Sequence, residues 1–305
     1  MIALGADHGG YRLKEAVKRY LEEKQIPYRD FGTDSEESID YGPVAEQVAR
    51  FVAEGKAQRG ILCCGTGIGI SIAANKVPGI RAAVVTNDFC AEMTRRHNDA
   101  NILCMGGRVI DEETAVRLTE IFLTTPFEGG RHTRRVAYIH KIEEEAVDFA
   151  APKEEAAAGI ALGADHGGYR LKEAVKRYLE EKQIPYRDFG ANSEESVDYA
   201  PIAEQVARFV AEGKAERGIL CCGTGIGISI AANKVPGIRA AVVTNDFCAE
   251  MTRRHNDANI LCMGGRVIDE ETAVRLTEIF LTTPFEGGRH ARRVAYIGQI
   301  ESKGL

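Results

Sequence analysis

A three-layer α/β/α sandwich built on a parallel sheet, present twice in one chain, is the fold class this sequence predicts. Three observations carry that prediction. The chain has 305 residues, enough for two domains at roughly 150 residues each. The segment IALGADHGGYRLKEAVKRYLEEKQIPYRDFG begins at Ile2 and returns at Ile160, and a period that long marks complete domains rather than solenoid units. Within each copy, short apolar runs alternate with amphipathic stretches, the pattern of a parallel sheet covered by helices on both faces.

Taken in order, Ile2–Ala6 reads as a buried strand, and Tyr11–Lys24 as a helix with Leu13, Val17, Tyr20 and Leu21 at helical spacing. Tyr28–Phe31 is a second strand, followed by an acidic loop and a helix over Val44–Ala53 that Gly55 ends. Gly60–Cys64 is an apolar strand, Thr66–Asn75 a helix entered through glycines, and Arg81–Val85 a strand. Asp88–His97 is helical, Asn101–Met105 a strand and Glu112–Leu123 an amphipathic helix, and the basic stretch Gly129–Ile139 opens the last helix.

Residues 2–139 and 160–297 differ at seven positions: Thr33/Ala191, Asp34/Asn192, Ile39/Val197, Gly42/Ala200, Val44/Ile202, Gln58/Glu216 and Thr133/Ala291. After Ile139 and Ile297 the copies diverge completely, as two monomers joined through a connector would. The stretch 143–158, EEEAVDFAAPKEEAAA, favours helix until Pro152 interrupts it. The expected organisation is therefore copy one over 1–142, a helical tail and linker over 143–158, and copy two over 159–305, the product of a fusion ahead of ordinary duplication.

Composition excludes several classes. At 44% hydrophobic and 28% charged, the chain is too apolar for disorder. Its net charge of -6 and lack of a basic arm argue against nucleic acid as a partner. No run of 18 apolar residues predicts a membrane span, and MIALGADHGGYRLK does not read as a secretion signal. Eight cysteines are too few for a disulfide scaffold, so a cytoplasmic protein with reduced thiols is expected.

In parallel sheets ligands sit beyond the carboxyl ends of the strands, which selects the loops after Ala6, Cys64, Val85 and Met105. The first holds Asp7-His8-Gly9-Gly10, where Asp7 suits either chemistry or a helix cap. The second, Cys64-Gly65-Thr66-Gly67-Ile68-Gly69, exposes backbone N–H groups at a helix start, an anion or oxyanion site. It is neither a dinucleotide fingerprint nor a P-loop, because Ile70 stands where glycine would be needed and no G-K-[ST] follows. Cys64 abuts that helix start, where a thiol's pKa should fall and the thiolate become accessible. Cys63 should point to the opposite face, into the core, and Cys90 and Cys104 lack the spacing of a zinc site. His97-Asn98-Asp99 closes a helix, where a histidine can serve either the dipole or a ligand. Arg131 and Arg135, four apart on one helix face, suit a phosphate or carboxylate or else a solvated basic face. Arg108 is a further candidate at the same sheet edge.

The segments GADHGGYRLK, DFGTDSEESIDY, ILCCGTGIGISIAANKVPGIRAA, RRHNDANILCMGGR and FEGGRHTRRV, in that order, resemble the ribose-5-phosphate isomerase B family and its galactose-6-phosphate isomerase relatives. The resemblance covers nearly all of each copy. It implies a Rossmann-like dimeric fold that isomerises aldose and ketose phosphates with no metal or organic cofactor. It implies that Cys64 moves the proton between C1 and C2, that Thr66 and the amides of Gly65, Gly67 and Gly69 stabilise the enediolate, and that His97 and Asp7 open the sugar ring. His8, Arg131 and Arg135 resemble the phosphate grip, with Arg108 joining from the partner, and Asn98 accompanies His97. The second copy repeats the set as catalytic Cys222, Thr224, His255 and Asp165, with substrate-binding His166, Gly223, Gly225, Gly227, Asn256, Arg266, Arg289 and Arg293. Isoleucine at position 70, where part of the family has glutamate, points to the cysteine-base branch, and His97-Asn98 favours the pentose substrate over galactose 6-phosphate.

In the family the His-Asn segment comes from the partner subunit. The resemblance thus implies an intrachain pseudo-dimer in which Cys64 works with His255 and Asn256, and Cys222 with His97 and Asn98. Two chains could associate further. The competing classes are an isomerase of another aldose phosphate, a non-catalytic sugar-phosphate-binding or scaffold fusion, and a cysteine hydrolase.

Overall fold

The computed structural model describes residues 1–145 and 159–303, so the expected linker beyond Glu145 lies outside the described residues. The chain forms two compact units, one of Met1–His132 with Arg289–Leu305, the other of Thr133–Gly288.

In the first unit, strands β1 (Ile2–Ala6), β2 (Tyr28–Asp30), β3 (Arg59–Cys64), β4 (Ala82–Val84) and β5 (Ile102–Gly106) form one sheet in the order β2-β1-β3-β5-β4. Every pairing is parallel. Residues of β1, β4 and β5 are buried throughout, because helices cover both faces and leave no solvent side to alternate against. Helices α1 (Tyr11–Glu23), α4 (Asp88–Asn98) and α5 (Glu112–Thr124) pack together, as do α2 (Tyr41–Ala53) and α3 (Ile68–Asn75). The buried stripe of α1 holds Leu13, Val17, Tyr20 and Leu21, as the spacing predicts, and also Lys14. That ammonium is fully buried, paired with Asp30 and with Glu15 at 3.0 Å, which offsets its desolvation.

Two boundaries move from the sequence reading for local reasons. Helix α2 begins at Tyr41 rather than Val44, since Pro43 falls in the first turn, where no intrahelical N–H is needed. Helix α3 begins at Ile68 rather than Thr66, because Gly67 is left-handed (φ 77°) and ends the loop as the helix cap.

Compact unit and sequence repeat do not coincide. Helix α6 (Arg131–Glu145) ends the first repeat, yet from Thr133 onward it belongs to the second unit, while α12 (Arg289–Lys303), which ends the second repeat, belongs to the first. In the first unit α12 packs on α2 and α3 and buries Ile297 and Ile300. Its Arg293 Nε donates to Asp40 Oδ1 at 2.9 Å, Tyr296 Oη to Glu46 Oε2 at 2.7 Å, and Glu301 pairs with the buried Lys76 ammonium at 2.7 Å.

The second unit repeats this plan with strands β6 (Ile160–Ala164), β7 (Tyr186–Asp188), β8 (Arg217–Cys222), β9 (Ala240–Val242) and β10 (Ile260–Gly264) in the order β7-β6-β8-β10-β9. Helices α7 (Tyr169–Glu181), α8 (Tyr199–Ala211), α9 (Ile226–Asn233), α10 (Asp246–Asn256) and α11 (Glu270–Thr282) cover it, and α6 makes polar contacts there that match those of α12 in the first unit. Arg135 Nε donates to Asp198 Oδ1 at 2.9 Å, Tyr138 Oη to Glu204 Oε2 at 2.9 Å, and Glu143 pairs with Lys234 at 2.6 Å. Among the described residues no helix is long and apolar enough to cross a membrane.

Candidate active site

The strand order places a topological switch between β1 and β3, and in open α/β sheets the ligand crevice lies outside the carboxyl ends of strands at that point. Ala6 pairs with Cys63, so the residues that follow them, Asp7 and Cys64, flank the crevice. The loops there touch backbone to backbone: a Cβ on Gly10 would lie 2.3 Å from the Cys63 carbonyl carbon. Glycine at that position is a packing necessity.

Asp7 does not cap the helix after it. Its Oδ1 accepts from the Gly9 N–H at 2.8 Å, while the cap position of α1 is Gly10, without a side-chain bond. Burial raises the Asp7 carboxyl pKa, against the opposing pull of His8, Arg293 and the Gly9 and Gly10 N–H groups. His8 Nδ1 accepts from the Ile39 N–H at 3.4 Å, which ties the acidic loop to the crevice.

Cys64 departs from expectation. Its thiol is buried, 4% exposed, and Sγ accepts from the Gly67 N–H at 3.1 Å. Burial and the Asp7 carboxylate push its pKa up to about 12, while the N–H groups of Ile70, Thr66 and Gly67 pull the other way. The expected accessible, low-pKa thiolate is thus corrected: the loops after β1 and β5 close over the sulfur, and desolvation outweighs the helix start. Cys222 repeats this, with Gly225 N–H at 3.1 Å and a pKa of about 12. Cys63 is core, as expected. Thr66 and Thr224 use Oγ1 to accept from Ile68 and Ile226 N–H at 3.3 and 3.4 Å. Gly65 borders the crevice, and Gly69 sits in the buried first turn of α3; Gly223 and Gly227 are their counterparts.

These thiols carry a stability consequence. Cys64 and Cys222 are raised from 9.0 to about 12, and Cys90 and Cys248 to about 11. Between pH 9 and those values the folded chain retains protons that the unfolded chain releases, so their stabilisation, complete below pH 9, is lost as pH rises. The urea midpoint is expected to fall steadily from pH 8.5 to 10.5, and a flat midpoint would contradict the burial.

Arg108 is placed by its own repeat, with its N–H donating to Gly65 O at 2.9 Å and its guanidinium beside the Gly65 position. Arg266 lies beside Gly223 in the same way. Arg131 and Arg135 do not act as one fork. Arg131 is exposed, with Nε 3.4 Å from His132 Nε2, while Arg135 is buried against Asp198 in the second unit. Helix exchange instead brings Arg293 to Asp7 and Asp40, with Arg289 exposed at the start of the same helix. In the second unit Asp165 Oδ1 accepts from Gly167 and Gly168 N–H at 2.8 and 3.1 Å, His166 accepts from Val197 N–H, and Arg135 is the nearby cation.

His97, in the last turn of α4, stacks on His132, with centroids 4.1 Å apart and rings 7° from parallel. Glu128 Oε2 lies 3.5 Å from His97 Nε2 and 3.9 Å from His132 Nε2. Such donors have metal-ligand chemistry, but parallel rings aim their in-plane lone pairs side by side rather than at one point, so one ring would have to turn to bind an ion. His132 and Glu128 are absent from the sequence-derived site; their four-residue spacing was the available signal. Asn98 and Asn256 are buried at the ends of α4 and α10, and His255 lies 3.8 Å from Glu286.

The family model described as Ribose/Galactose Isomerase matches residues 2–139 and again 160–297. Ribose-5-phosphate isomerase B of Escherichia coli (strain K12) is 47% identical over 143 residues, which cover 47% of this chain and 96% of that protein. Ribose-5-P isomerase B of Listeria innocua is 45% identical over 144 residues, 47% of this chain and 97% of that protein. The solved structure of Clostridium thermocellum ribose-5-phosphate isomerase B shows 50% identity and a TM-score of 0.47, covering 47% of this chain and 97% of that one. Each relative thus spans about one repeat. With its two matches covering both repeats almost end to end, the chain belongs to the ribose/galactose isomerase family and carries that family's domain twice.

Proposed function

We propose that the chain interconverts ribose 5-phosphate and ribulose 5-phosphate, with Cys64 and Cys222 as proton-transfer bases. The observation that carries this reading is the buried Asp7–Cys64 pair across the switch point, with backbone N–H groups aimed at the sulfur and a cation, Arg293, alongside. The names of the relatives support the same substrate. Asp7, with a histidine of the His97 type, opens the furanose. The thiolate then takes the proton from C2 and returns it to C1. Negative charge on the enediolate oxygens is met by Thr66 and the amides around it, since preorganised donors act strongly where charge develops in a closed site. His8 and Arg293 hold the phosphate in the first site, His166 and Arg135 in the second. Incubation with ribose 5-phosphate in the presence of a chelator should yield ribulose 5-phosphate faster than allose 6-phosphate or galactose 6-phosphate is converted. Absence of pentose turnover would sink the assignment.

The same reading assigns His255 and Asn256 to the Cys64 site, and His97 and Asn98 to the Cys222 site. Arg293 of the second repeat within the first unit supports sites that draw on both repeats. Cys64→Ala with His97→Ala then disables both sites, whereas Cys64→Ala with His255→Ala leaves about half the activity. The reverse pattern would mean each repeat keeps a private site.

A further inference from the structure

At the amino edge of the first unit's sheet, away from Asp7 and Cys64, lies a cavity of about 660 Å³ lined by Gln58, Arg59, Arg81, Arg95, Asp99 and Asn101, among others. Arg59 opens β3, while Arg81 and Asn101 directly precede β4 and β5. That volume is ordinary for a small-molecule site.

The charge on its wall is unbalanced. Three guanidiniums face one carboxylate, Asp99, which already accepts from Arg95 Nη1 at 2.9 Å and Arg81 Nη2 at 3.0 Å. Arg59 instead donates through Nη1 to two neutral acceptors, the carbonyls of Phe122 and Leu123, at 2.6 and 2.7 Å. Its Nε and Nη2 make no hydrogen bond among the described residues. Burial and the nearby Arg95 charge lower the Arg59 pKa to about 10, the mark of a cation that an anion would relieve.

The second repeat provides an internal comparison. Gln58 is replaced there by Glu216, one of the seven differences, and Glu216 Oε1 pairs with Arg217 Nη2 at 3.2 Å. The protein thus supplies its own carboxylate to the equivalent arginine in the second repeat and leaves that place to a neutral amide in the first. We propose that the first-repeat cavity is an anion site, separate from the catalytic crevice, that takes a phosphate-class dianion. Arg59 would grip it through the planar fork that suits phosphate oxygens, with the Gln58 amide beside it. Free phosphate and a phosphate monoester share this chemistry.

The test is calorimetric titration of the full chain with inorganic phosphate, comparing wild type with Gln58→Glu, Glu216→Gln and Arg59→Gln. Catalytic sites contribute equally to all four. Gln58→Glu should weaken one phosphate per chain at least tenfold, and Glu216→Gln should add one. Both variants leave kcat/KM for the pentose unchanged. Each installs a residue that the other repeat already carries at that position, so folding is not in question as it is for Arg59→Gln. Superimposable isotherms for wild type, Gln58→Glu and Glu216→Gln would overturn the proposal. Repeating the titration with glycerol 3-phosphate separates the sources: tighter binding than phosphate at the same site supports a monoester, weaker binding supports the free ion.

Discussion

Replacing Cys64 and Cys222 together with alanine is expected to lower pentose phosphate isomerisation by about 10²- to 10⁴-fold, the range that one positioned base supplies. Sugar-phosphate binding should survive, because the phosphate grip lies on other residues. The variant removes two small buried sulfurs that accept only from backbone N–H groups among the described residues, those of Gly67 and Gly225 at 3.1 Å included, so the fold should persist, and its circular dichroism would show that. Full residual activity would take the cysteine out of the reaction. The pH profile makes the same point without a mutation. With each thiol raised to about 12 by burial and a neighbouring carboxylate, the thiolate fraction of the free enzyme grows tenfold per pH unit from 6 to 9. If thiolate is the base, kcat/KM rises in step, since that ratio reports the free enzyme's ionisations. A plateau below pH 8 would assign the base to a group of lower pKa, Asp7 being the nearest.

The high thiol pKa is also where sequence reasoning reached its limit. Position relative to a strand end and a helix start is legible from local pattern, and it brought Asp7, His8, Cys64 and Arg108 to one sheet edge correctly. Burial is not local. It arises because Gly9 and Gly10 let the β1 loop lie against the backbone around Cys63 and Gly65, and no spacing rule reports how far three loops close over a sulfur. The terminal helices show a second limit. Ile297 and Ile300 share one helix face and are buried, but two near-identical repeats offer such a face two near-identical grooves. The sequence pattern cannot choose between those grooves, so Arg131 and Arg135 read as a pair when the fold separates them. Lys14 shows a third: the apolar stripe of its helix does not include a lysine, and only the fold brings Asp30 to it and buries it.

Glu301→Gln is expected to destabilise the first repeat rather than its own. Glu301 closes on the Lys76 ammonium at 2.7 Å, and that side chain is 2% exposed. Removing the carboxylate charge weakens the compensation of a buried cation, and breaking such a pair outright costs about 3–5 kcal/mol. Hydrogen exchange can locate the damage because protection reports local opening, and because α2 and α8, the helices that α12 and α6 pack against, differ in mass. Peptides over Tyr41–Ala53 carry Gly42 and Val44, and those over Tyr199–Ala211 carry Ala200 and Ile202. Protection should fall in the first peptide and hold in the second. Glu143→Gln, which removes one carboxylate charge 2.6 Å from Lys234, should do the opposite. If Glu301→Gln instead exposes Tyr199–Ala211, each terminal helix serves its own repeat and Arg293 loses its place beside Asp7. The two variants therefore test, from stability alone, the arrangement on which the phosphate grip depends.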